Sequence, residues 1–303
     1  MNENSITRRA ALGSALALAG AGSTPLFAAT RPGQPKLDLE DPVTRAKIRA
    51  KITGSTAKET LHGLSQLHLY AYLNDGNVVP LLTMWNYTVT KWEPHSETSY
   101  RMNHYESGIY TRFNTEEVLE YWDNPVTGER LEVWPFLGGP IKGEIGPDGT
   151  VTGENATVKP QSLGIHVIGD QVFIPAQSSF SFPSPFTPEK WPKESSGSTY
   201  YWDSFFTHSA SLADVANPDL SHVPSVQQFQ NLVSFHPWFR MGGHPGRSFG
   251  RAFGTKLNGG FETLPPFLQA AVEKQTPEML DVDNWTEFRN DFADFMKARG
   301  PKS

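Results

Sequence analysis

Two imidazoles and two guanidiniums fall within twelve residues in the stretch His236-Pro237-Trp238-Phe239-Arg240-Met241-Gly242-Gly243-His244-Pro245-Gly246-Arg247. Imidazole moves protons near neutral pH, and a guanidinium holds a carboxylate, phenolate or enolate through two parallel hydrogen bonds. The glycines between them let backbone approach a ligand closely. The pattern predicts His236 and His244 as proton-transfer groups and Arg240 and Arg247 as anion holders. The competing reading is a shaped turn, with Trp238 and Phe239 packed and the histidines capping or facing solvent.

Three further stretches carry polar and aromatic groups at strand spacing. In Tyr200-Tyr201-Trp202-Asp203 with His208, alternation puts Tyr201 and Asp203 on one face and Trp202 and His208 on the other. Asp203 there either orients a histidine, acts as a base, or pairs with a surface arginine. Along Leu82–Trp92, Trp85, Tyr87 and Val89 share a face opposite Met84, Asn86 and Thr88. One of these faces lines the interior, as packed core or as an aromatic ligand wall. Tyr100, Met102, His104 and Glu106 also share a face. An interior His104–Glu106 pair is an acid–base candidate, and an exterior one is solvated surface.

Composition removes several chemistries. With no cysteine in the chain, disulfides, thiolate nucleophiles, cysteine-bound zinc and iron–sulfur clusters are excluded. No H-x-H or H-E-x-x-H supports a metal site, no G-x-S-x-G a serine nucleophile, and no G-x-G-x-x-G a nicotinamide or flavin, so neither metal nor cofactor is expected. A formal net charge of −6 without basic runs beyond the first residues argues against nucleic acid and anionic membrane surfaces.

The elements that must position these residues are mostly strands. Aromatic residues make up 12% of the chain, a share that suits β structure with a substantial core. Asp41-Pro42 opens a short helix over 43–51. Strands then follow at Leu64–Leu73, Val78–Thr90, Thr98–His104, Gly108–Phe113, Val118–Trp122, Leu131–Phe136, Ile141–Ile145, Val151–Val158, Leu163–Ile168 and Gln171–Pro175, separated by Gly/Asn/Asp turns. Residues 176–198, rich in proline and serine, read as a surface loop or flap. Strands resume at Thr199–Ser211 and Val226–Phe235. The chain is then glycine-rich over 242–260 and helical at Pro265–Lys274 and Trp285–Arg299, the last helix carrying a Trp285, Phe288, Phe292, Phe295 stripe. About ten sequential antiparallel strands predict a mainly β fold, an up-and-down barrel of calycin or lipocalin type with flanking C-terminal helices.

Thr7-Arg8-Arg9 ahead of a short Ala/Gly/Leu run matches a twin-arginine export leader over residues 1–29. Residues 30–42 follow as a linker and 43–300 as one domain. No later stretch approaches the roughly 18 apolar residues of a spanning helix, so no membrane anchor is expected in the mature form. The expected location is periplasmic or secreted, with the twin-arginine machinery as an export partner.

Two segments resemble a known family. Leu119-Glu120-Tyr121-Trp122-Asp123-Asn124-Pro125-Val126-Thr127-Gly128-Glu129-Arg130-Leu131-Glu132-Val133 is similar to the W-x-N-P-x-T-G-E hairpin of DUF1838 proteins. Pro237-Trp238-Phe239-Arg240-Met241-Gly242-Gly243, with Pro245-Gly246, Gly254-Thr255-Lys256-Leu257 and Leu264-Pro265, resembles that family's C-terminal signature. The resemblance spans roughly residues 45–300 and implies a domain extent without an activity. The residues themselves suggest an exported, cofactor-independent lyase, isomerase or hydrolase. Its substrate would be a small hydrophobic or aromatic compound bound among Trp85, Tyr87, His104, Tyr201, Trp202, Asp203 and Trp238. The alternative is a lipocalin-like carrier with the same cavity and no chemistry. A third possibility is an envelope interaction protein that presents outer aromatics.

Overall fold

A computed structural model describes residues 33, 35–152, 159–285 and 291–300. The expected export leader, the end of the Val151–Val158 strand and Phe288 lie outside them. The first helix, α1 (Pro42–Thr53), begins as expected: the Asp41 carboxylate accepts the amides of Val43 at 3.2 Å and Thr44 at 2.9 Å, with proline at the first turn. Alternation then builds β1 (Glu59–Leu73) and β2 (Val78–Ser96). Tyr105–Ser107 joins the two strands expected over 98–113 into one, β3 (Ser99–Arg112). The irregularity falls on its other partner, β6 (Phe136–Gly146), whose register shifts between His104 and Glu106. Gly139 sits at that bulge with φ +111°, where a Cβ would lie 2.6 Å from the His104 carbonyl. Between them, β4 (Tyr121–Asp123) and β5 (Arg130–Glu132) form a separate two-stranded hairpin.

The second half adds β7 (Gly149–Thr152), β8 (Gln161–Ser162), β9 (His166–Ile168), β10 (Gln171–Pro183) and β11 (Thr199–Ser211). After α2 (Leu212–Ala216) come β12 (Val226–Val233), β13 (Gly246–Lys256), α3 (Pro266–Gln275) and α4 (Asp291–Arg299). Three expectations are corrected. The surface loop begins at 184 rather than 176, because β10 continues pairing with β11 out to Pro183–Thr199. Its serines hide a period of two in which Ser178, Phe180 and Phe182 share a face. The glycine-rich segment contains β13, an internal strand rather than a loop. A Cβ on Gly250 would lie 2.2 Å from Asn231 Oδ1, and one on Gly254 2.5 Å from Ser65 Cβ, so close approach of neighbouring strands outweighs low strand propensity. The aromatic stripe splits. Trp285 precedes α4 and packs on Tyr105 at 5.2 Å, while Phe292 and Phe295 both meet Phe186 at 5.8 Å.

The strands form one antiparallel sheet in the order β7-β6-β3-β2-β1-β13-β12-β11-β10-β8, nearly closed into a barrel. Strands early and late in the chain close it on one side: β1 pairs β13 from Gly63–Lys256 to Leu73–Gly246. The remaining seam falls in mid-chain, between β6–β7 and β8–β10. Two helices span it. Arg49 of α1 donates from Nε to the Pro147 carbonyl at 3.0 Å and from Nη2 to Ser162 Oγ at 2.8 Å, one partner on each side of the seam. At the other end, Phe295 of α4 packs on Trp134 at 5.4 Å, while Phe292 reaches Phe182 at 6.4 Å.

Both barrel ends are filled. Across one lies α1, with Ala46 and Ala50 against Trp92, Tyr100 and Ile145, and Ile48 and Ile52 against Val172, Ile174 and Ala210. The Lys256 ammonium fastens it by donating to the carbonyls of Lys51, Gly54 and Val223. The other end holds Phe235, Trp238 and Phe239 among Leu69, Leu82, Tyr110 and Trp122. Outside the wall, α3 covers Tyr87, Val89, Tyr105 and Ile109. These buried layers stabilise the barrel through removal of apolar surface from water.

Candidate functional site

The packing fixes which strand faces point inward. On β2 these are Met84, Asn86, Thr88, Thr90 and Trp92, which pair in register with Tyr110, Gly108, Glu106, His104 and Met102 of β3. On β11 they are Trp202, Ser204, Phe206 and His208, opposite Val233, Asn231, Phe229 and Gln227 of β12. Between the two filled ends, one wall presents the polar side chains Thr90, His104, Glu106 and Asn86, and another presents His208, Gln227, Asn231 and Ser204 with the stacked Phe206–Phe229 pair among them.

Four residues of the first wall form a chain. Thr90 Oγ1 lies 2.7 Å from His104 Nδ1, which fixes the ring and turns Nε2 toward Glu106. His104 Nε2 and Glu106 Oε2 stand 3.8 Å apart, an ion-pair distance too long for a direct hydrogen bond. The Asn86 amide donates to the same Oε2 at 3.1 Å. Among the described residues Glu106 Oε1 has no partner, and it borders Gly138, where a side chain would stand 3.5 Å away. Burial raises the Glu106 pKa, but His104 and the Asn86 amide together outweigh it and hold the carboxyl below its ordinary value. The side chains of His104 and Glu106 retain 22% and 23% of their exposure despite facing the barrel interior. That surface opens onto a lumen.

His208 sits on the opposite wall, level with Gln227 and Ile174. Burial, and then the nearby charge of Lys256, push its pKa down to about 4, so it is a neutral imidazole at pH 7. Asn86 Oδ1 and Asn231 Oδ1 are both buried without a hydrogen-bond partner. Among the described residues, no three His, Asp or Glu side chains are grouped to hold a metal ion.

The loop residues singled out by sequence lie in separate places. His236 is buried edge-on against Phe239 at 5.5 Å, its Nδ1 unpartnered, and burial lowers its pKa to about 4. Arg240 adopts a left-handed backbone conformation and is bound by Glu129 at 2.9 Å and Glu194 at 3.2 Å. His244 is exposed in a turn. Arg247 faces outward from β13, pairing with Asp203 at 2.9 Å and lying 4.4 Å over the Tyr201 ring. Asp203 also accepts from Ser179. These three outer-wall residues meet each other and stand on the reverse side of the sheet from the lumen.

The expected binding residues divide in the same way. Trp85 packs edge-on against Phe267 of α3 at 5.5 Å, and Tyr87 bonds His62 at 2.7 Å, both outside the barrel. Trp238 fills the barrel end against Tyr110 at 5.1 Å. His104 and Trp202 face the lumen. Trp202 stacks on Phe180, the centroids 6.1 Å apart and the planes 9° from parallel. The sequence offers Glu106 with His104 as an acid–base candidate if the pair is interior, groups Asn86 and His208 only as members of strand faces, and does not single out Phe180. Strand alternation groups such residues, but inward and outward faces cannot be told apart until the register and the covering helices are known. A groove of about 900 Å³ lined by Lys58, Lys91, Arg101, Lys142 and Glu144 also lies behind the wall, and charges face one another across it, Arg101 with Glu144 at 3.8 Å.

The sequence model of the family described as protein of unknown function (DUF1838) matches residues 65–296, and the chain belongs to that family. A comparison with curated proteins gave no match.

Proposed function

We propose that this DUF1838 protein is an enzyme that moves protons on a small molecule held in the barrel lumen, with His104 and Glu106 as its working pair. The reading rests chiefly on one observation, a Glu106 Oε1 that no described residue shares, beside an imidazole 3.8 Å from the other carboxylate oxygen. Glu106 takes a proton from the substrate at Oε1. Protonated His104 gives its Nε2 proton to the atom where negative charge develops. Transfer of the captured proton from Glu106 to His104, after the 3.8 Å separation closes to hydrogen-bond distance or through one water, restores both groups. Thr90 and Asn86 are positioning residues that hold the imidazole and the carboxylate. Such proton exchange serves a lyase, isomerase or hydrolase alike. The twin-arginine motif supports export of the folded protein as its setting.

The test is to incubate the purified protein with small-molecule extracts of the producing organism and follow them by mass spectrometry. Consumption of one compound with appearance of a product, lost in Glu106→Gln and His104→Gln, supports the enzyme. Retention of a compound without conversion replaces it with the carrier reading, which the lumen serves equally well but which does not need a proton-transfer pair.

A further inference from the structure

The β11–β12 wall carries polar groups that the fold neither buries nor satisfies. Its inward residues pair across the two strands as Ser204 with Asn231, Phe206 with Phe229 and His208 with Gln227. At the centre the two phenyl rings lie nearly parallel, with 14° between their planes and 5.5 Å between centroids, and both keep some exposed surface. Along β12 an amide stands on either side of Phe229, Gln227 and Asn231 each two residues and about 7 Å away. Asn231 Oδ1 is buried over Gly250, where a Cβ would come within 2.2 Å of it. The amide nitrogen of Asn231 therefore turns into the lumen, and among the described residues it donates to no acceptor. The side chains of Gln227 and His208 likewise have no hydrogen-bond partner there, although their polar atoms are not sealed off. Such groups are available to a ligand. In the row of paired residues that joins this wall to the first, only Ser65 and Gly254 separate Asn86 from Gln227, so no large side chain stands between them.

We propose that the β11–β12 wall binds the ring of a planar aromatic or conjugated carbonyl compound. Phe206 and Phe229 pack against the ring, and Asn231 Nδ2 donates to the carbonyl oxygen. An aromatic ring gains there by edge or offset contact with the phenyl pair. An acceptor on the ligand suits the wall better than a donor, because Asn231 presents N–H groups and the charge of Lys256 reaches His208 beside it. The first wall has the opposite polarity, with Glu106 as its free acceptor. This recognition rests on the lumen being the substrate site, as proposed above, and binding alone tests it.

Acetophenone and α-methylstyrene are matched probes, since they share a shape and differ in a carbonyl oxygen against a methylene group. Calorimetric titration should find acetophenone bound about fivefold more tightly, the value of one neutral hydrogen bond. Asn231→Leu should erase that preference, and Phe206→Ala should weaken both probes severalfold, with circular dichroism showing each variant folded. One readout needs no variant. The infrared carbonyl band of acetophenone bound to the wild-type protein should lie below its position in cyclohexane. Equal affinities for the two probes, an unshifted carbonyl band, or indifference of both probes to Phe206→Ala would overturn the ligand class. A preference that survives Asn231→Leu would overturn Asn231 as the donor. Catalysis fails or stands separately. Unchanged conversion of the extract compound by Glu106→Gln would remove the proton-transfer reading and leave these binding results in place. Equal probe affinities, with conversion lost in Glu106→Gln, would remove only the recognition proposed for this wall.

Discussion

Asp203 and Glu106 are both strand carboxylates of one barrel, Asp203 beside a guanidinium and Glu106 beside an imidazole, and they also differ in what remains unpaired. Asp203 faces outward, with one oxygen accepting from Ser179 and the other bound to Arg247, which in turn lies over Tyr201. Every group there is occupied. Glu106 faces the lumen, and both of its partners converge on the same oxygen, so among the described residues the second oxygen has no partner. Outside, water screens the pair and limits it to a modest structural role. Inside, a carboxylate and an imidazole keep proton-transfer capacity because the partners hold the carboxylate without saturating it. A carboxylate with a nitrogen partner is therefore not by itself a site. An unsatisfied atom facing open volume is what sets the inner pair apart.

The comparison can be broken most sharply at Glu106. Glu106→Gln keeps the shape and the contact with Asn86 but removes the base, and conversion should fall by about a hundredfold or more, as expected for loss of general acid–base catalysis. Circular dichroism should show the fold retained. Next in size is the acid response of His236. Its folded pKa of about 4 lies below the unfolded value of 6.5. Between those pH values the unfolded chain binds a proton that the native protein does not, so stability should decline as pH falls from 6.5 toward 4. The loss is on the order of 3 kcal/mol for a group this deeply buried. His236→Phe should remove about half of that slope, His208 supplying a similar share, and an unchanged slope would contradict the assignment.

Gly250→Ala probes the lumen wall directly. The added methyl group meets Asn231 and Leu67, and urea denaturation should register a loss of about 1–3 kcal/mol. The smallest effect belongs to the outer pair. Asp203→Asn should cost at most about 1 kcal/mol and leave conversion unchanged, because the pair is partly solvated and stands on the far side of the sheet. A large loss of conversion in that variant would merge the two regions that the structure separates.

Much of the barrel was legible in the chain. Turn residues and period-two alternation marked most strands, and they correctly grouped Tyr201 with Asp203 and Trp202 with His208. What alternation could not supply was the sign of each face. Trp85 and Tyr87 read as ligand walls because they are aromatic, but α3, far along the chain, covers their side of the sheet. The His/Arg loop looked concentrated because four side chains are close in sequence. A short 3₁₀ turn at Pro237–Phe239 and the left-handed residue Arg240 then send them in different directions. His236 goes into the core, Arg240 to Glu129 and Glu194, and Arg247 to the outer wall. Strand β13 was hidden by its glycines, whose role emerges only once the neighbouring Asn231 and Ser65 are in place. His104 and Glu106 were visible as a pair on one strand face. Their value depended on the barrel closing around them.

The most direct measurement compares wild-type protein, Glu106→Gln and Asp203→Asn in a single extract-conversion assay followed by mass spectrometry. If the lumen pair carries the chemistry, wild type and Asp203→Asn consume the same compound at similar rates and Glu106→Gln leaves it intact. Equal consumption by wild type and Glu106→Gln would contradict that claim.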